Sequence, residues 1–439
     1  MSRVRNVLAS GVRGFPPGFW WLWSSTLVNR LGTFVFPFLT LYLTVERGYS
    51  AGGAGLVLSV YGIGATAGAL LGGELTDRVG RRTTMAGAQL ATAVATAALG
   101  LVTQVAAITV LAFAVGAAAS VSRPAVSAMI TDLVGPADRL RAFSVNYWAI
   151  NLGFGLSAVA AGFIAQGGYV WLFVGDAVTT LACAIIMWIK LPETRPAARE
   201  PSPTVNRAAK PAAPFAAVLR DARFMGFTVL AFVLWIILYQ ASTSLPVSMA
   251  GQGLGAHTYG LVIGVNGLLI VLLQMPLTRL VKGHSRRRSL AVAAALIGGG
   301  FGLTGLAGSA ALLYAATVAV WTLGEMIYTP ASSAVVADLA PEHSRGRYQG
   351  VFGFGSSAAT CVAPLVGGLI LDHGGSSFLW SACAVLGAAV ALAFLLLLPR
   401  QRRTDADAET DADGEVQETV RKVKAADTGG ADKAKTPLA

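Results

Sequence analysis

Charge is scarce in this 439-residue chain: only 13% of residues are Asp, Glu, Lys or Arg, about half the share of an ordinary soluble domain. With 54% hydrophobic residues and a mean hydropathy of +0.63, that shortage excludes a soluble enzyme. Cysteine is almost missing. Cys183, Cys361 and Cys383 all lie inside apolar runs with no framework spacing, which excludes a disulfide scaffold or a zinc site and leaves them as small buried side chains. No phosphate-cradling loop, metal-ligand cluster or nucleophile constellation is present, so neither catalysis nor a cofactor is expected. A cleavable leader is not expected either. The apolar run from Phe19 to Val45 behind Arg3, Arg5 and Arg13 is too long for a signal peptide and reads as a first span.

What the chain does have is apolar runs of bilayer-crossing length. Twelve are expected, at about 19–45, 52–76, 84–104, 106–130, 141–166, 169–189, 224–249, 257–281, 289–308, 310–338, 347–371 and 376–398. They lack the alternation of a membrane barrel, so helices are the spanning form. With the N-terminus placed in the cytoplasm, all but three of the 33 Lys and Arg residues fall on the cytoplasmic side or its flanks. The exceptions are Arg47 outside and Arg30 and Arg123 within the membrane. This bias puts both termini inside. It also accounts for the net charge of +11 as a topogenic signal and a match to anionic lipid, with no nucleic-acid partner required.

The sequence repeats at an offset of 206 residues. Pro124 falls on Pro330, Ser127 on Ser333, Asp132 on Asp338, Arg139 on Arg345, Arg141 on Arg347 and Gly162 on Gly368. An even number of spans separates the copies, so the repeat is parallel, with a two-fold axis along the membrane normal and a path between the halves. The expected fold class is an all-α membrane protein of twelve transmembrane helices in two pseudo-symmetric six-helix bundles. Its parts are a cytoplasmic N-terminus (1–18), an N-terminal bundle (19–190), a proline-rich linker (191–222), a C-terminal bundle (223–399) and a disordered cytoplasmic tail (400–439).

After the second span the chain reads Gly73-Glu74-Leu75-Thr76-Asp77-Arg78-Val79-Gly80-Arg81-Arg82. Gly80 permits a tight reversal, and Arg78, Arg81 and Arg82 anchor the loop at the interface. Asp77 can accept charge-assisted hydrogen bonds among them. This string resembles the G-x-L-x-D-R-x-G-R-R motif of the major facilitator superfamily, and with the half repeat the resemblance covers about residues 15–400. It implies that Asp77 meets the N-terminus of the eleventh helix, near Arg347, and latches the halves shut on the cytoplasmic side. The equivalent loop, Lys282 to Arg288, keeps the charge but lacks the Asp-Arg pair, which implies an asymmetric latch. Gly64, Gly68 and Gly72 of the second span are spaced for close helix approach.

Within that superfamily the chain resembles drug:H⁺ antiporters, through Asn29-Arg30-Leu31-Gly32, Gly324-Glu325 and Ala340-Pro341 to Arg345-Gly346-Arg347-Tyr348. It departs from them at Ala112, where their fourth-helix arginine is missing. It departs again in the fifth span, Asn151 to Gly155, which lacks their proline motif. A near form, Ala363-Pro364-Leu365-Val366-Gly367-Gly368, stands in the eleventh span instead.

Ionisable groups inside a membrane need a reason. The resemblance implies a cavity lined by spans 1, 4, 7 and 10, facing Arg30, Asn29, Arg123, Glu325, Tyr239 and Trp321, with Trp148 and Trp235 as further apolar lining. Glu325 is either a proton carrier or the permanent partner of Arg30 or Arg123. Arg30 either holds Glu325 or binds an anionic part of a substrate. Arg123 either faces the cavity or snorkels. Asp176 is expected to bond a neighbouring helix, and Trp20, Trp21 and Trp23 to form an interfacial belt. The expected function is proton-coupled export of amphipathic small molecules such as drugs or metabolites, by a monomer in the bacterial plasma membrane. Its partners are substrate, H⁺ and membrane lipid. The alternatives are proton-coupled uptake, for which the first span matches the E-x-x-E-R of oligopeptide carriers only at Arg30, and a non-transporting sensor, which would need a structured cytoplasmic domain.

Overall fold

The structure, a computed structural model, describes residues 14–194, 215–281, 283–341 and 344–398. Residues 1–13, most of the linker and the tail from residue 399 lie outside the described residues, and with them the expectations placed there. The described residues form helices and connecting turns, with no strand among them. In chain order these are α1 (Pro17–Leu31), α2 (Val35–Leu41), α3 (Ala51–Val79), α4 (Arg81–Leu101), α5 (Val105–Leu133), α6 (Arg139–Ile164) and α7 (Val170–Lys190). The second half comprises α8 (Ala222–Gly251), α9 (Ala256–Val281), α10 (Arg286–Thr304), α11 (Ala311–Leu339) and α12 (Arg345–Leu397). A short helix, Phe215–Arg220, precedes α8.

Among the described residues, ten helical segments are long and apolar enough to cross a bilayer. Twelve passes are expected from the sequence; two features bear on the difference. The 53-residue α12 is interrupted at Gly375, where φ is +74°. Its two limbs fold back on each other, because Phe352 and Phe394 both lie against Phe227, with ring centroids 5.7 and 5.9 Å away. The helix α10, at 19 residues, begins with Arg286, Arg287 and Arg288 and is not among the ten.

The first expected span is not continuous. It breaks between Leu31 and Val35, which strands backbone groups that a helix would satisfy. Asp176 of α7 accepts from the Val35 N–H at 3.2 Å and from Thr180 Oγ1, and Ser157 of α6 donates to the Thr33 carbonyl at 3.0 Å. Asp176 therefore bonds a neighbouring helix, as expected, and caps α2. Apolar side chains such as Leu70, Val94, Val178 and Leu312 project outward from the bundles, the pattern of a lipid-facing surface.

The halves meet along two seams, α3 against α12 and α6 against α9. At the end remote from the basic loops these seams are tight enough to exclude side chains. A Cβ on Gly55 would lie 2.3 Å from the Pro364 carbonyl oxygen, and one on Gly260 would lie 2.4 Å from the Ala158 carbonyl oxygen; the α6–α9 seam stays tight to mid-helix, where one on Gly267 would lie 2.4 Å from the Gly155 Cα. A polar tie closes the α3–α12 seam: the Asp372 carboxylate accepts from the Ala51 N–H at 2.9 Å and the Gly52 N–H at 2.8 Å, at the N-terminus of α3. At the basic end the α3–α12 seam loosens. A Cβ on Gly73, Gly346, Gly350 or Gly353 would meet nothing within 4 Å. The central space is thus sealed at the far end and open at the basic end.

Candidate functional site

Two neighbouring cavities lie between the halves, sharing Phe154 of α6 and Tyr239 of α8 as a common wall. One, of about 310 Å³, is lined by Trp235, Asn266, Trp321, Glu325 and Tyr328 among others. The second, of about 250 Å³, is lined by Arg30, Phe36, Tyr61, Thr66 and Arg123 among others. Another cavity, of about 290 Å³ around Met326, Pro330 and His284, sits at the basic end of α9–α11, away from this pair.

Glu325, mid-way along α11, accepts from Asn266 Nδ2 of α9 at 2.9 Å, and the same amide reaches Thr322 Oγ1 at 3.1 Å. Among the described residues no cation lies within ion-pair distance of Glu325, so neither Arg30 nor Arg123 is its partner in this state. Both arginines face the second cavity instead. Arg30 is half-buried, with Gly153 of α6 against its stem, and Arg123 is exposed within the open space. Trp321 is buried and stacked on Phe301, with ring centroids 5.2 Å apart. Asn29, grouped with these residues in the sequence, turns the other way: its amide donates to Gln89 Oε1 of α4 at 3.4 Å, and it lines neither cavity. Trp148 lines neither cavity as well.

The basic motif folds as a helix–glycine–helix reversal. Gly80 takes φ +107° between α3 and α4, so Arg81 and Arg82 stand in the first turn of α4 rather than in a loop. Two cations at a helix N-terminus oppose its macrodipole, and one carboxylate from α5 and one from the segment after α7 answer them. Arg81 pairs with Asp132 at the end of α5, at 3.1 Å. Beyond α7, Glu193 accepts from the Arg82 and Thr83 N–H groups and from Thr83 Oγ1, and lies 3.8 Å from Arg82 Nε. Burial works to raise the Glu193 pKa, but these hydrogen bonds and Arg82 hold it below its ordinary value. The second half repeats the first arrangement: Arg286 pairs with Asp338, the position equivalent to Asp132. Arg78 pairs with Glu74 one turn back, at 2.6 Å.

Asp77 is exposed, and among the described residues it has no hydrogen-bond or ion-pair partner. Gly73 beside it faces open space. The contact with the N-terminus of α12, at Arg345, is therefore not made in this state, because the basic ends of the halves are apart. The residues that the sequence did not single out are Asn266, Asp132, Asp338, Glu193 and Asp372. Asp132 and Asp338 carried a signal, since they coincide in the repeat; the other three are single polar residues with no pattern around them.

A family model described as Major Facilitator Superfamily matches residues 22–255 and 241–425. The chain is similar to an uncharacterized MFS-type transporter, YttB of Bacillus subtilis (strain 168), with 28% identity over 79% of this chain and 87% of YttB. It is also similar to the multidrug resistance protein MdtH of Salmonella arizonae, with 23% identity over 81% of this chain and 87% of MdtH. Among solved structures, the nucleoside transporter NupG matches with a TM-score of 0.69 at 15% identity, over 87% of this chain and 99% of NupG. A POT family transporter in complex with 5-aminolevulinic acid matches with a TM-score of 0.70 at 15% identity, over 88% of this chain and 98% of the other. These two likenesses concern the fold alone.

Proposed function

The chain belongs to the major facilitator superfamily and is a multi-pass membrane transporter; from that premise we propose that it exports amphipathic small molecules from a bacterial cytoplasm in exchange for protons. In this reading the basic end and both termini face the cytoplasm, and the open central space is the state that loads substrate from inside. The single observation that carries the coupling is Glu325, a cavity carboxyl held by the neutral Asn266 amide with no cation in reach. Such a group can gain or lose a proton without stranding a buried partner charge, which a permanent ion pair cannot do. Each pH unit of gradient supplies about 1.4 kcal/mol, and each charge crossing 100 mV about 2.3 kcal/mol, enough to drive uphill transport of a neutral or singly charged molecule. The resemblance to MdtH, a multidrug resistance protein, supports the substrate class at low identity.

The test is transport in proteoliposomes with an imposed pH gradient, comparing the parent with Glu325→Gln. The expected result is loss of gradient-driven accumulation with retained equilibration down the substrate's own gradient. Full uphill transport by the variant would remove Glu325 as the carrier, and accumulation on the proton-rich side's opposite face would identify uptake in place of export.

A further inference from the structure

The polar groups of the two cavities are sorted by charge. Arg30 and Arg123 line one cavity, and among the described residues neither has an acidic partner within 4 Å. The cavity carboxylate, Glu325, is engaged by Asn266 on the other side of the wall formed by Phe154 and Tyr239. A guanidinium stays charged throughout the physiological range and presents five donors in a fixed fork suited to oxyanions. Two such groups facing one space of about 250 Å³ repel each other, and a shared anion relieves both at once. Aromatic side chains line both cavities: Phe154 and Tyr239 are shared, Phe36 lies on the arginine side and Trp235 on the Glu325 side.

Building on the export activity proposed above, we infer that the preferred substrates are amphipathic anions and zwitterions whose carboxylate, sulfonate or phosphate bridges Arg30 and Arg123 while an aromatic body lies along Phe154 and Tyr239. A zwitterion places its ammonium toward Glu325. A permanently cationic amphipath meets two repelling arginines and is disfavoured. The combined size of the cavities fits one drug-sized molecule.

Matched probes with one fluorophore test this directly. Dansylglycine is an anion, Nε-dansyl-lysine a zwitterion, dansylamide neutral and dansylamidoethyl-trimethylammonium a cation. Binding to the purified full chain is read by energy transfer from tryptophan. The parent is expected to bind the anion and the zwitterion at least about tenfold tighter than the cation, a difference of about 1.4 kcal/mol. Arg30→Gln and Arg123→Gln should each erode that preference, and the double variant should abolish it. Arg30→Lys and Arg123→Lys should restore most of it, and dansylamide affinity should stay within about twofold throughout, which also reports that the variants are folded. Equal affinity for anion and cation, a preference untouched by the double variant, or no saturable binding by any probe would each overturn the inference.

A free organic acid and a single-chain phospholipid present the same anion. Displacement of dansylglycine by naphthaleneacetate assigns the site to the former, displacement by lysophosphatidylglycerol alone to the latter, and displacement by neither overturns it. Anion preference without proton-driven transport would leave this site standing and remove the export reading. Gradient-driven export of cations with no anion preference would do the reverse.

Discussion

Replacing Asp372 by alanine should open the far end of the molecule. Its carboxylate ties the first limb of α12 to the N-terminus of α3 through the Ala51 and Gly52 N–H groups, and no other carboxylate among the described residues joins the two halves at that end. Hydrogen bonds to a charged acceptor contribute about 1.5–3 kcal/mol each when shielded. Here the site is exposed and water replaces both bonds on opening, so the pair together is worth about 2 kcal/mol, the helix-terminus attraction included. That is a factor of about 30 in the closed-to-open ratio: a parent closed in about 99% of molecules would fall to about 77%. Asparagine keeps an acceptor oxygen but loses the charge, so Asp372→Asn should cost about 1 kcal/mol and leave about 95% closed. Spin labels at Thr103 and Ser309, exposed in far-end turns of opposite halves, read the separation by pulsed dipolar spectroscopy in a background without the native cysteines. The asparagine effect should shrink at about 1 M salt, where the screening length is about 3 Å. Distance distributions of Asp372→Ala that superimpose on the parent would refute the reasoning, because the tie would then carry no part of the closed state's stability.

Two further outcomes concern the basic end. Glu193 has a folded-state pKa below its ordinary 4.5, so its stabilising bonds are fully present above that value and are lost as pH falls through the depressed one. The melting temperature of the parent in detergent should therefore exceed that of Glu193→Gln by a constant margin between about pH 6 and 8, and the margin should close below about pH 4.5; a margin that persists in acid would count against the assignment. Asp132→Asn should strand the buried Arg81 and cost about 2 kcal/mol, with much of the loss recovered when Arg81→Gln is added; additive losses in a double-mutant cycle would show that the two do not interact.

The passes, their order and the half repeat were legible from apolar run length and from coincidences such as Asp132 with Asp338, because lipid imposes a length and a polarity on each segment. The Gly80 reversal was legible for a similar reason, a local backbone need written at one position. Pairings across space were not. Arg81 and Asp132 are far apart in the chain, and the charge of the motif reads as interfacial anchoring until α4 is seen to begin at Arg81, where a cation at a helix N-terminus demands an acid from elsewhere. Asn266 is one amide in an apolar helix, and only the approach of α9 to α11 makes it the partner of Glu325. Asn29 shows the opposite failure: it shares a helix with Arg30 but projects to another side, so a contiguous motif spans two environments. The break after Leu31 was hidden because both sides of it are apolar, and the groups that repair it, Asp176 and Ser157, come from other helices. Which end stands open is a property of the assembled halves, and no residue string encodes it.

The backbone contacts along the two seams have a mechanical consequence. Where Gly155 meets Gly267, and Gly55 meets the Pro364 carbonyl, the surfaces have no teeth. If one half rolls over the other, as the proposed transport cycle requires, few rotamers need to change at these points. Under the proposed export reading, the modest energies of one proton and one small guest would then weigh heavily in setting the direction of travel.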